Sequence, residues 1–366
     1  MEHIKEYIKN NRRKLLILGM ILVIMSIAFI FTKHNYSLYE SPIIKVTEVN
    51  ETEYYEFGKE NPFYIQEITA TVMNGDLKGE TVHFENRRTT SGLSCFDIRE
   101  SDSVIVNLNS DGTVNSVDNI KRDHYVVLLI GIFCIALYAI STKQSGPVLF
   151  ATILNLGVFV GVLLLRPQFD IFILFIFGTI LFTVITLFIT AGFNKKSLYA
   201  VLSTLISVTI MIMLAMIVLK INETFIAFEA VDYVDYLYDY KSVFYSGVLI
   251  SGLGAIMDTS IIMATSINEL IEKDPQIDTK ALKKSAWEIA QDITGTIMNV
   301  LLFSCVAGAL PNVIFVISSG GMALDFAFEY FAMAEVIRAL VGCIGIILAV
   351  PVSYIVNIAM RKRWAA

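Results

Sequence analysis

The sequence predicts a polytopic α-helical membrane protein of about eight spans, with a small all-β extracytoplasmic domain after the first span. Three observations predict it. Apolar residues make up 55% of the chain and charged residues 17%, and the mean hydropathy is +0.64. That balance belongs to a protein largely solvated by lipid. Eight apolar runs approach or reach the length needed to cross a hydrocarbon core about 30 Å thick. The one long polar stretch, residues 33–123, carries β-branched and aromatic runs separated by turn signals.

The elements follow in order. Lys5, Lys9, Arg12, Arg13 and Lys14 precede an apolar run from Leu15 to Phe31. A secretory signal would end in a small-residue cleavage site, but Thr32-Lys33-His34-Asn35 follows instead. Residues 1–32 therefore read as a cytoplasmic N-terminus and an uncleaved first span. The remaining spans are expected at 124–141, 147–165, 169–191, 198–219, 246–269, 292–310 and 336–360. Together, residues 124–366 form a seven-span domain.

Lys and Arg cluster at alternate loop ends. One set holds residues 1–14, Lys143, Lys195, Lys196, Lys273, Lys280, Lys283, Lys284 and Arg361-Lys362-Arg363. The other holds only Arg166, Lys220, Lys241 and Arg338 in its short loops. Positive loops stay inside, so both termini are expected in the cytoplasm and residues 33–123 outside.

Within 33–123, strands are expected at Ile43–Val49, Phe63–Val72, Thr81–Phe84 and Ser103–Leu108. Asn74-Gly75, Lys78-Gly79 and Asp111-Gly112 supply turns. The pattern suggests a barrel of the OB or SH3 kind, which either packs without a site of its own or binds a partner. Residues 221–241 hold five acids and four tyrosines, which suit an interfacial helix or a cation-attracting vestibule. Residues 279–291 alternate Lys with Ala281, Leu282, Ala286, Ile289 and Ala290, which predicts a helix lying along the inner membrane surface, capped by Asp278 or Thr279. Residues 311–334 are too short and too interrupted to span, and read as a re-entrant loop or a surface helix.

The chemistry concentrates in two stripes. Ser251, Gly254, Ala255, Asp258, Thr265 and Glu269 recur at helical spacing in the sixth apolar run, with Asn268 beside them. Asp292, Gly295, Thr296 and Asn299 follow in the seventh. A carboxylate within a span costs about 2.5–3.5 kcal/mol on insertion scales unless it faces protein or water. Asp258 is thus expected to face the interior near the second stripe, with Ser251, Gly254 and Ala255 letting another helix approach. There it would exchange a proton, or hold Na⁺ with Thr265, Asn299 and backbone carbonyls, with Asp292 nearer the cytoplasm. The bland alternatives are static interhelical hydrogen bonds for Asp258 and helix capping for Asp292. Glu335 and Arg338, at i and i+3, are expected to pair at the outer end of the last span.

Other classes lose ground on the same residues. No Walker loop, nucleophile elbow or Ser/His/Asp arrangement is present, so neither an enzyme nor an ATP-driven pump is expected. His3, His34, His83 and His124 are scattered without metal-ligand spacing, and no cofactor is expected. Cys95 is alone in the polar stretch, and the lack of a basic block outside the membrane flanks argues against nucleic acid.

Three motifs, Gly252-Leu-Gly-Ala-Ile-Met-Asp258, Ser266-Ile-Asn-Glu-Leu270 and Asp292-Ile-Thr-Gly-Thr-Ile-Met-Asn299, resemble the signature of the YibE/F-like bacterial membrane proteins. Glu335-Val-Ile-Arg-Ala-Leu-Val-Gly-Cys-Ile-Gly345 with Pro351, and Ala70-Thr-Val-Met-Asn-Gly75 with Gly79-Glu-Thr-Val82, resemble the same family. The resemblance implies a multi-pass protein of the bacterial plasma membrane and says little about activity. Gly254-Ala-Ile-Met-Asp258, the 280–291 helix and Asp292-Ile-Thr-Gly-Thr296 also resemble, in order and orientation, the transmembrane core of RND and SecDF proton-driven proteins. The expected function is a secondary transporter or ion-gradient-coupled membrane component. Its partners would be the bilayer, a proton or Na⁺, and a second copy or a paralogous membrane protein. The alternative is a non-transporting envelope assembly factor acting through its β domain.

Overall fold

The computed structural model describes the chain apart from residues 1–11, 56–61, 90–94, 110–111, 142–143, 167, 222–239, 319–322, 324, 326–327, 329–331 and 366. It divides into two units, Met1–Ser145 and Gly146–Ala366.

In the first unit, α1 (Arg12–His34) carries Lys33 in its last turn, a charge that suits a helix C-terminus. Five strands follow: β1 (Ile43–Tyr54), β2 (Phe63–Val72), β3 (Thr81–Thr89), β4 (Ser103–Leu108) and β5 (Val114–Ile120). All pair antiparallel in the order β3-β2-β1-β4-β5, and the edge strands β3 and β5 approach one another. The strands therefore run 1-2-3-5-4 around a nearly closed barrel, the connectivity of the OB type. Its core is Ile44, Val46, Ile68, Ala70, Val72, Val82, Ile98, Val104, Val106 and Ile120.

Asn74 closes the β2–β3 end. Its Oδ1 accepts from the Ile43 amide at 2.6 Å, and its Nδ2 donates to the carbonyls of Tyr39 and Ser41 at 3.1 Å. Gly75 and Gly79 sit at φ +81° and +94°, where a Cβ would be strained. The expected turn at Asp111-Gly112 lies partly outside the described residues. After β5 comes α2 (Asp123–Ile140), which packs on α1. Buried Lys121 ties this end together, its Nζ donating to the Thr32 carbonyl of α1 and, at 2.7 Å, to Asp123 Oδ1.

The second unit holds α3 (Ser145–Leu165), α4 (Ile171–Ala191), α5 (Lys195–Ile221), α6 (Tyr240–Lys273), α7 (Thr279–Ser318) and α8 (Met333–Ala365). Asp170 caps α4, accepting from the amides of Phe172 and Ile173 at 2.9 and 3.1 Å. Helix α6 is central, packing on α4, α5, α7 and α8. With α1 and α2, eight helices among the described residues are long and apolar enough to cross a membrane.

Glycine sets the closest approach. A Cβ on Gly252 would lie 2.6 Å from Met211 Sδ and 3.6 Å from Gly342 Cα. One on Gly345 would lie 2.9 Å from both Met211 Sδ and Ile256 Cδ1. The glycines of α6 and α8 thus join two helices of one chain, with Met211 of α5 wedged beside them.

Two expectations about α7 need correction. Residues 279–291 do not form a separate helix on the membrane surface. No Gly or Pro interrupts them, so they continue into the span as one helix. Leu282, Ala286 and Ala290 pack against Met263, Ile267 and Val350 rather than lipid. Asp278, just before the helix, accepts from the Lys280 amide at 3.3 Å, the cap expected there. At the other end Pro311 does not stop the helix, which runs to Ser318. Proline is tolerated in membrane helices where neighbours re-satisfy the freed backbone. Most of 319–331, and the acidic, tyrosine-rich stretch 222–239, lie outside the described residues.

Candidate functional site

Asp258 lies fifteen residues from Lys273 and seventeen from Lys241, the ends of its candidate span. At 1.5 Å per residue it is about 22 Å from the nearer end. It opens into a cleft of about 670 Å³ between α6, α7 and α8. Ser251 and Ala255 line the same wall from α6. Thr296, Val300, Ser304 and Gly308, each one turn apart, form the α7 wall. Glu335 and Arg338 reach in from α8. The Asp258 side chain is exposed within this open cleft, as are Thr296, Val300, Ser304 and Gly308 of the facing wall, and its carboxylate has no hydrogen-bond or ion-pair partner among the described residues.

The Glu335–Arg338 pair forms as the spacing predicts, with Nη1 to Oε1 at 2.5 Å. The guanidinium also sits over the Phe244 ring, 5.3 Å from its centroid. Gly247 makes room for it, since a Cβ there would lie 3.3 Å from Nη2. Arg338 is therefore clamped by α6 and by its own helix, and Nε is buried without a hydrogen-bond partner. Its charge is matched by Glu335, which leaves the cleft with the uncompensated carboxyl of Asp258.

Of the nine residues singled out from the sequence, four line this cleft: Asp258, Thr296, Glu335 and Arg338. Five do not. Thr265 is half-buried two turns along α6, and Glu269 is exposed. Asn268 donates to Glu272 at 2.6 Å instead. Asp292 and Asn299 of α7 are exposed and do not line the cleft. Asp292 caps nothing, because it sits thirteen residues inside a continuous helix.

The role expected of the small stripe also changes. Gly254 is exposed with nothing within 4 Å of a Cβ placed on it, and Ser251 and Ala255 border the cleft. The close helix contact is made one residue away, at Gly252. Sequence reading missed Ser304 and Gly308. The four-residue recurrence Thr296, Val300, Ser304, Gly308 was the available signal, since it places all four on one helix face.

Eight long apolar helices among the described residues and a nearly closed β barrel inserted after the first define a multi-pass membrane protein. The chain belongs to the YibE/F family: residues 129–363 match the model of the YibE/F-like protein, and residues 37–121 that of the YibE/F family N-terminal domain. No curated protein and no solved structure matches the chain, so the likeness to RND and SecDF proteins gains no support.

Proposed function

We propose that this protein is a non-enzymatic secondary transporter, or an ion-gradient-coupled membrane component, that works through Asp258. The observation carrying the reading is a carboxyl group in mid-span, facing a cleft of about 670 Å³ and lacking a hydrogen-bond partner among the described residues. A carboxyl used as interhelical glue would take the nearby hydroxyls as donors, because leaving it unpaired costs several kcal/mol. A carboxyl that exchanges its guest must be free of permanent partners. The guest is a proton or Na⁺, since Arg338 is already matched by Glu335 and the cleft keeps a single negative charge. The lysine distribution supports cytoplasmic termini and an extracytoplasmic β domain in the plasma membrane.

Asp258→Asn tests the reading. Asn packs like Asp but cannot carry a proton or a charge, so the variant should insert and fold normally yet lose activity by at least about a hundredfold, the scale of an essential charge worth about 2.7 kcal/mol. Asp258→Glu should keep part of it. The readout is complementation of a strain lacking the protein, followed by ion flux in proteoliposomes. An Asn variant that complements fully would instead favour an envelope factor acting through its barrel.

A further inference from the structure

Four hydroxyls on three helices stand out against their neighbours. Thr204 and Ser207 of α5, Ser260 of α6 and Ser353 of α8 are each fully buried, at 0% exposure. None of their oxygens has a hydrogen-bond partner among the described residues. Hydroxyls and amides on these same helices usually turn back onto a carbonyl one turn earlier. Ser203, Ser246, Thr259 and Asn357 do so at 2.6–2.9 Å. The four orphans make no such bond among the described residues, although each is fully enclosed by protein.

Three of them also share one level. Helices α5, α6 and α8 pack on one another, and their crossing is fixed where Met211 meets Gly252 and Gly345. Eight residues further along α6 and α8, and seven back along antiparallel α5, lie Ser260, Ser353 and Thr204. Each is about 10–12 Å from that crossing. The flanking clusters agree. Val208, Ile256 and Ala349 belong to one apolar cluster. Ala200, Ala264 and Val356 belong to the next. Thr204, Ser260 and Ser353 occupy the layer between, and Ser207, one turn from Thr204 on α5, borders it beside Val208.

We propose that Thr204, Ser207, Ser260 and Ser353 form a neutral oxygen site for a dehydrated Na⁺ ion, separate from the Asp258 cleft. An unpaired buried hydroxyl is costly, and three in one layer with a fourth at its border call for a shared guest. The set is all oxygen, which suits a hard cation. It contains no carboxylate, and divalent ions depend on carboxylates or retain their water. Neutral oxygens suffice for a monovalent ion within a membrane, as carbonyl rings in channels demonstrate. The glycine-permitted closeness of α6 and α8 favours the smaller Na⁺ over K⁺. Ser260 lies on the face of α6 that meets α5, not the face bearing Asp258, so the site does not depend on the cleft reading.

The test is thermal unfolding of the full-length protein in detergent, titrated with NaCl, KCl or choline chloride at constant ionic strength. Na⁺ should raise Tm saturably where choline does not, as binding to the folded state requires. Ser260→Ala and Ser353→Ala should each weaken the apparent Na⁺ affinity about tenfold, the loss of one ligand worth about 1.4 kcal/mol. Alanine favours helix and removes a buried orphan, so both variants should fold without Na⁺. Thr204→Val, equal in shape, guards against a packing artefact. The proposal is overturned if the wild type does not distinguish Na⁺ from choline, as a layer satisfied by water alone would not. It is overturned equally if the Ala and Val variants respond like wild type, or if Asp258→Asn alone abolishes the response, which would place the ion in the cleft.

Discussion

Asp258 and Glu51 are both carboxylates, and their partners separate their roles. Asp258 is unpaired in a cleft. Glu51, on β1, accepts two hydrogen bonds at 2.8 Å from Arg88 of β3 and one at 3.0 Å from Gln66 of β2. Arg88 in turn lies 4.1 Å over the Tyr64 ring. The Arg88 hydrogen bond is the largest influence on Glu51 and holds its carboxyl below the usual range. A depressed carboxyl contributes stability above its unfolded pKa and loses it as pH falls through the folded value. The barrel should thus be indifferent to pH from 7 to about 5 and loosen below about pH 4. With Glu51 about a third exposed, the contribution is at most about 1 kcal/mol. Amide protection in β1–β3, corrected for intrinsic exchange, measures it. Arg88→Met should flatten this acid limb, and an unchanged limb would show that other carboxylates set it.

At the scale of elements, the α6–α8 seam makes a sharper prediction. Gly252→Ala brings a new Cβ against Met211 Sδ, the movable part of a flexible side chain, while helix propensity gains about 1 kcal/mol. That substitution should be close to neutral. Gly252→Leu cannot be absorbed in this way, because the Gly342 backbone lies 3.6 Å from the Cβ position. Overpacking of this kind costs about 1–3 kcal/mol, read as a lower Tm in detergent. A Leu variant as stable as wild type would mean that the two helices do not touch at this glycine.

The same scale explains what the sequence made legible. Strands β2 and β4 and the first halves of β1 and β3 were readable because alternating β-branched and aromatic residues leave the period-two pattern intact, while the polar half of β3, Glu85–Thr89, was missed. Strand β5, Val-Asn-Ser-Val-Asp-Asn-Ile, was missed too. Its Asn, Ser and Asp disfavour strands, and pairing with β4 overrides that preference. The far half of β1 was missed for a related reason. Asn50–Glu53 are polar and exposed, held in the ladder by β2. In the site, Asp258 announced itself as a charge in an apolar run. The opposing wall did not, because Ser304 and Gly308 look like ordinary helix-packing residues until α7 is known to face the cleft.

At the scale of the whole molecule, the eight helices and the lysines together predict an orientation that experiment can check. An even number of spans puts both ends of the chain on one side, and the first loop on the other. The α6–α7 turn carries Lys273, Lys280, Lys283 and Lys284, all exposed. Retaining four lysines on the cytoplasmic side is favoured by the negative inner leaflet, at about 1 kcal/mol each near the surface. The barrel carries mixed charge and a folded core, so its translocation is not governed by the same bias. Ser197, at the start of α5, is a poor reporter despite its loop-like sequence, because it is fully buried and donates to the Gly192 carbonyl at 2.6 Å. Asp274 and Lys78 are exposed and better placed. In a background with Cys95, Cys134, Cys305 and Cys343 replaced by serine or alanine, Lys78→Cys should react with an impermeant maleimide in intact cells. Asp274→Cys should react only after the membrane is opened. Reaction of both from outside would break the alternation between Lys78 and Asp274, and with it the eight-span arrangement on which the inward-facing lysines depend.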